Sequence, residues 1–293
     1  MNLLQLEYFQ EVAKAQSITK AAKKLKISQS ALSIMMNKLE SSIGYPLLNR
    51  QGRTIRITRY GEVVLYYSYI LLNEMKDIQQ EFVELQGLEQ KYTLVLGVTD
   101  NNYYGDWLLK LMEQYPDMHL NVLQMSREDI YRNLLIGNLD FGISNQIEYH
   151  DQLSSQLLFS QPYQLLVRYN HPLASKGTIT VEELMQEPII SLPPSHKERM
   201  IDNLSCDMHF RPNIVFEGNS DIMSEMFHAG VGSILTCAHN RKQWMIKAPE
   251  EYALLDVIGS NARYEMYLLW SSHRFLPKQA RIFKESVFDY YHI

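Results

Sequence analysis

Ser28, Gln29, Ser30, Ser33, Asn37 and Lys38 set short polar and basic side chains at close spacing in one stretch of the chain. Hydroxyls and amides placed this way along one side of a helix offer the donors and acceptors that recognise base edges in a duplex groove. A second set is cationic. Arg50, Arg53, Arg56 and Arg59 recur every third residue through NRQGRTIRITR, and guanidinium groups in such a run suit phosphate oxygens. Neither set contains the nucleophile–base pair or clustered carboxylates that covalent or acid–base catalysis needs.

The elements that must position these side chains lie around them. Over residues 18–39, Ala21, Ala22 and Leu25 give one helix an apolar side, and Leu32, Met36 and Leu39 give the next helix another at helical spacing. Lys26 and Ile27 form the turn between them, and Ser28 is placed to cap the second helix. The pattern predicts a helix-turn-helix whose second helix is free to enter a major groove. Leu6, Phe9, Val12 and Ala13 form the stripe of an earlier helix that completes a three-helix core. After the pair, Ile55 and Ile57 alternate with Thr54, Arg56 and Thr58 beyond a Gln51-Gly52 turn, as in a two-stranded wing.

Charge follows the same division. Residues 1–60 hold ten lysines and arginines against three acids, a net of +7, while the whole chain carries −5, which leaves −12 for the rest. A basic head on an acidic body points to a polyanion that meets the head alone.

From about 58 to 85 there is no proline, and Leu71, Met75, Ile78, Phe82 and Leu85 step by four and three. This is a coiled-coil seam, which Val64 and Tyr67 or Ser68 would continue backwards and Gly87 would end. A single helix cannot hide such a seam, so the spacing predicts pairing with a second copy of the chain. Three segments follow: residues 1–60 as a winged helix-turn-helix, 61–87 as a linker and dimerisation helix, and 88–293 as the body.

In the body, apolar runs alternate with amphipathic stretches: strands at 92–98, 120–125 and 141–144, with helices at 107–115 and 127–136 between them. This βαβαβ order implies a parallel sheet. A second unit begins near Gln164, with strands near 165–168, 188–192, 214–216 and 233–236 and helices at 181–186, near 197–204 and at 221–229. The chain then returns through 264–270 to a last helix at 277–290. Subdomain I is expected at about 92–163 and 266–293, and subdomain II at about 164–265. Ligands of such folds sit at the carboxyl ends of parallel strands. That position selects Thr99, Asp100, Asn101 and Asn102 after the first strand, and Ser126 and Arg127 after the second. From the other unit it selects Ser195, His196, Lys197 and Arg199, then Asn219 and Ser220. Together they suit a small anionic molecule.

Residues 1–62 resemble the LysR-type transcriptional regulators. The resemblance rests on Phe9 in the first helix, SITKAAKKLKISQSALS, Leu39-Glu40, Gly44 and LLNRQGRTIRITRYGE; the order of elements extends it over the rest of the chain. It implies an N-terminal all-α winged helix-turn-helix with a long linker helix, and a C-terminal α/β effector domain of two subdomains, periplasmic-binding-protein-like (type II). It also implies a homotetramer that bends promoter double-stranded DNA, responds to a small-molecule effector and contacts RNA polymerase. Asn101 and Arg127 fall where the family makes effector contacts. Two positions depart from the pattern. Ile34 stands where the family commonly has arginine or another polar residue, which leaves the base sequence it reads open, and Leu48 stands where phenylalanine is usual.

Several functions lack their sequence signals. There is no GxSxG, P-loop, GxGxxG or HExxH motif, and Cys206 and Cys237, 31 residues apart, lack metal-ligand spacing. No cofactor or metal is expected. No apolar run is long enough for a membrane span, and the N-terminal residues do not read as a signal peptide, so a cytoplasmic location is expected. Two other readings remain at this point: an enzyme with an appended head, and an architectural DNA-binding protein with no effector.

Overall fold

The computed structural model describes residues 1–49, 55–87, 92–99, 105–145, 147, 149–193, 200–202, 204, 211–239, 251–259 and 262–293. Asn2 caps α1 (Leu3–Ala15) in a reciprocal capping box with Gln5. The α2 helix (Ile18–Leu25) starts at the Ser17 cap and stops at Lys26, which adopts a left-handed conformation. The α3 helix (Gln29–Ile43) starts at the Ser28 cap and stops at Gly44. Leu6, Phe9, Val12, Ala21, Ala22, Leu32, Met36 and Leu39 close into one core, joined by Leu47 and Leu48. The wing strands β1 (Leu48–Asn49) and β2 (Arg56–Ile57) pair antiparallel.

Thr58 then caps α4 (Arg59–Leu85), with its hydroxyl accepting from the Gly61 N–H at 3.1 Å and donating to the Pro46 carbonyl at 2.6 Å. Gly61 has a steric role here: a Cβ at this position would strike the Leu47 carbonyl and the Ile57 side chain. Beyond the helix, Gly87 turns the chain at positive φ.

Among the described residues, the body is built on one ten-stranded sheet system. In its first half, β3 (Thr93–Val98) lies parallel between β4 (His119–Gln124) and β5 (Phe141–Ser144), connected by α5 (Gly105–Gln114) and α6 (Arg127–Leu135). The long strand β6 (Leu153–Arg168) crosses into the second half. That half contains β7 (Thr178–Thr180), α7 (Val181–Leu184), β8 (Pro188–Ser191), β9 (Asn213–Glu217), α8 (Ser220–His228), β10 (Ser233–Cys237) and β11 (Tyr252–Ile258). There β8 lies parallel between β9 and β10. The return strand β12 (Arg263–Ser271) pairs with β6 from Leu153 to Pro162 and also with β5, and α9 (Lys278–Tyr291) packs Ala280, Phe283 and Val287 into the core.

β6 changes partner at one point. Pro162 is its last residue opposite β12, and Tyr163 is its first opposite β10. The sequence pattern predicts a strand only over 165–168 of this element, and none for β7 or β11.

The α4 helix turns its apolar seam outward. Leu71, Met75, Ile78, Phe82 and Leu85 are exposed, and the seam continues backwards through exposed Tyr67 and Val63. Of the expected continuation through Val64 and Tyr67 or Ser68, Tyr67 holds and the other two positions are corrected: Val64 packs into the head core and Ser68 is fully buried beside Gln10. Those two positions lie on the side of the helix that α1 covers. A polar face of α4 is instead buried against the chain's own body. Asp77 takes two bonds from Arg274, at 2.6 and 2.8 Å, and Arg274 donates a third to the Gly137 carbonyl at 3.0 Å. The Asn73 amide donates to the Ile136 carbonyl, and Glu84 pairs with Arg281 at 2.9 Å.

Nearby, Asp140 accepts from the Tyr92 hydroxyl and, at 2.7 Å, from the Val95 N–H. Burial pushes the Asp140 carboxyl above its ordinary value of 3.8; the two hydrogen bonds and the Arg274 charge pull it only part of the way back.

Two outcomes are expected. Arg274→Ala leaves a buried carboxylate unpaired and should cost about 3–5 kcal/mol in urea unfolding. Adding Asp77→Ala should recover part of that loss, and strict additivity would mean that the two do not act as a pair. Because folding raises the Asp140 value, its stabilising contribution is full below 3.8 and is lost as pH rises through the folded value. Asp140→Asn should therefore flatten the decline of stability above about pH 4, and an unchanged profile would place that decline elsewhere.

Candidate nucleic-acid interface and ligand cleft

The α3 helix buries Leu32, Met36 and Leu39 and exposes Ser28, Gln29, Ser30, Asn37 and Lys38, with Ser33 half-buried. Part of this polar set is occupied locally. The Ser28 hydroxyl accepts from the Ala31 N–H at 3.1 Å and lies 3.0 Å from the Ser30 hydroxyl. The Gln29 side-chain amide oxygen accepts from the Thr19 hydroxyl at 3.2 Å, which ties the first turn of α3 to α2. Ile34 stands exposed on the same open side of the helix.

Arg56 is exposed on β2, whereas Arg50 and Arg53 lie outside the described residues. The wing is held by a residue that the sequence supplied only as part of a motif. Glu40, on α3, accepts from the backbone N–H groups of Leu47 at 2.7 Å and Leu48 at 3.0 Å. One carboxylate thus fixes the start of the wing to the helix that carries the polar face.

In the body, the parallel strands end side by side. Val98 of β3 is level with Gln124 of β4 and Ile143 of β5. Thr99 therefore sits next to the segment that carries Ser126 and Arg127, and its N–H donates to the Ile143 carbonyl at 3.1 Å. Its hydroxyl is buried and has no hydrogen-bond partner among the described residues. The side-chain amide oxygen of Asn145, one residue beyond β5, is likewise buried and unbonded among the described residues. Sequence reasoning missed Asn145, although it follows its strand as Thr99 follows β3. Two unmet polar atoms at neighbouring strand ends are what a ligand with complementary groups would satisfy.

Ser126 caps α6 and bonds Asp129 through both its N–H and its carboxylate. Glu128 and Asp129 already occupy the first turn of that helix, which reduces the pull of its N-terminus on an anion. Arg127 is half-buried at the same turn.

In the second half, Ser191 of β8 is level with Glu217 of β9. Asn219 caps α8 by accepting from the Ile222 N–H at 3.0 Å, and Ser220 opens that helix. Asn101, Asn102, Ser195, His196 and Lys197 lie outside the described residues, as does Cys206. Cys237 is a buried thiol in the core. Among the described residues no group of three or more His, Cys, Asp or Glu could hold a metal ion, and no helix is long and apolar enough to cross a membrane.

These two regions coincide with two family models. "Bacterial regulatory helix-turn-helix protein, lysR family" matches residues 3–62, and "LysR substrate binding domain" matches residues 88–291. Among curated proteins, the chain is 30% identical over 292 residues to the uncharacterized HTH-type transcriptional regulator YybE of Bacillus subtilis, covering 98% of each. It is 28% identical to the HTH-type transcriptional regulator AlsR of the same organism, covering 95% of this chain and 93% of AlsR. Among solved structures, a full-length OxyR variant of Pseudomonas aeruginosa has the same fold, with a TM-score of 0.76 at 20% identity over 98% of this chain and 97% of that one. Full-length CbnR in complex with its target DNA has a TM-score of 0.65 at 19% identity, covering 99% of both chains. A cationic winged head, a long connecting helix and a two-part α/β body are thus joined in one chain, and that chain belongs to the LysR family of DNA-binding transcriptional regulators with an effector-binding domain.

Proposed function

We propose that two copies pair through the exposed seam of α4 and set their α3 helices in successive major grooves of promoter DNA, about one helical turn apart. Further pairing of dimers makes the homotetramer. The observation that carries this reading is the orientation of α4: its apolar seam faces out, while Asn73 and Asp77 are buried against the body. An exposed run of seven large apolar residues with helical spacing is stable in water only when it is covered. On DNA, Gln29, Ser30, Ser33 and Asn37 face base edges, Ser28 holds the first turn of α3 in place, and Lys38, Arg50, Arg53 and Arg56 neutralise phosphates. CbnR, whose fold is similar, has been captured on its own target DNA, which supports the same placement of the head here. Contact with RNA polymerase and a cytoplasmic location follow from the regulator reading.

The effector is a small anionic molecule held at the strand ends of the body. Thr99 can donate its hydroxyl to a carboxylate oxygen, and Arg127 supplies the positive charge. Ser126 follows the neighbouring strand β4, Asn101 and Asn102 join the site by their position in the sequence, and the Asn145 side-chain oxygen can accept from a ligand hydroxyl or N–H. From the second half, Asn219 and Ser220 at the start of α8 are assigned to the same site, as are Ser195, His196 and Lys197 by their position in the sequence. To change transcription, the ligand must bind one arrangement of the subunits better than another.

Two tests follow. Arg56→Ala should weaken binding to every duplex and reduce the salt slope by about one, whereas Gln29→Ala should cost about 1–3 kcal/mol at the cognate site alone. Equal losses on cognate and random DNA would remove α3 as the reading helix. In a thermal-shift screen of small organic acids and amino acids with the full chain, a binder should raise the melting temperature by mass action. Arg127→Ala should abolish that shift while DNA affinity stays intact, and an undiminished shift would take Arg127 out of the site.

A further inference from the structure

We propose that Ile34 is a specificity-determining residue that recognises thymine by packing against its C5-methyl group in the major groove. The inference rests on the DNA-binding reading above and adds what one position of α3 selects.

Ile34 is 55% exposed. It lies two residues from Leu32 and two from Met36, both in the core. At about 100° per residue this places it about 200° around the helix from each, on the side that faces away from the protein. Ser30 lies one turn before it and Lys38 one turn after, and both are exposed. Folding gives no reason for an isoleucine there. A β-branched apolar side chain on a solvated helical face has a poorer helix propensity than alanine, lysine or arginine, and it leaves apolar surface in water.

The chemistry of its position supplies the reason. Isoleucine cannot donate or accept a hydrogen bond, so it cannot bond to purine N7 or O6, to adenine or cytosine amino groups, or to phosphate. The one apolar feature that a base pair displays on the major-groove edge is the thymine methyl group. Between Ser30 and Lys38, an isoleucine meeting that methyl would bury two apolar groups within a polar interface and select A·T over G·C without a hydrogen bond.

The test uses a duplex selected from a random-sequence pool by the full-length chain. Each thymine in it is then replaced singly by deoxyuracil, which keeps every hydrogen-bonding group and removes only the methyl. One thymine per half-site should respond, with binding weakened about fourfold, the effect of one methyl group left unburied. Ile34→Ala should bind the thymine and deoxyuracil duplexes equally well, and Ile34→Val should keep part of the difference. Tolerance of deoxyuracil at every position, or the same thymine sensitivity in Ile34→Ala, would overturn the proposal while DNA binding stood. Failure of the wild-type chain to select any sequence is a separate outcome: it would remove the DNA-reading function of α3, and this proposal with it.

Discussion

The buried ion pair between Asp77 and Arg274 sets how the whole chain is arranged. Two charges withdrawn from water are costly, and the cost is offset only when geometry is close and the remaining polar atoms are met. Here both carboxylate oxygens are bonded, and the guanidinium also reaches the Gly137 carbonyl. Turning α4 about its axis, or sliding it along the body, would strand a buried carboxylate. The helix is therefore held in one rotational setting, and Asn73 and Glu84, on the same side, reinforce it. The direction of the apolar seam follows from that setting.

The same contacts place the head relative to the strand ends of the candidate cleft. The α6 helix begins at Ser126 and Arg127, beside Thr99, and is followed by Ile136 and Gly137, whose carbonyls receive Asn73 and Arg274. Its nine residues span about 13 Å. One rigid element thus touches the candidate cleft at its first turn and the linker helix just past its last. At the other end of α4, Gly61 is wedged against Leu47 and Ile57, and Glu40 ties Leu47 and Leu48 to α3. Together these contacts run from the strand ends of the candidate cleft, along α4, to α3.

Charge and shape divide the work within the head. Its core is small and closed by alanines at the α2–α3 approach, so α3 can sit high on the domain with one full side open. Polar groups on that side are partly spent on caps and helix–helix bonds, as with Ser28 and Gln29, which holds them in fixed positions. Ile34 is the exception, an apolar group where the rest of the side is polar.

The sequence alone determined the elements whose pattern is local: the three-helix head, the cap at Ser28, the seam on the long helix, and the parallel βαβαβ unit. Each is set by spacing, by a cap or by a glycine within a few residues. The strands it failed to supply are those whose pairing is distant. β6 carries Ser, Gln and a proline and shows no clean alternation, because its faces serve two sheets in turn. Pro162 reads as a break, yet it sits where the strand exchanges β12 for β10. β7 and β11 exist because they pair with each other and, for β11, with β6. Likewise, Asp77 and Arg274 are 197 residues apart, and nothing near either one marks it for burial. Asn145 became a candidate only when its strand was laid beside β3. Tertiary structure decided which face of α4 meets the body and which polar atoms are left unmet at the strand ends, because both depend on groups brought together across the chain, and periodicity along a sequence carries no record of its distant neighbours.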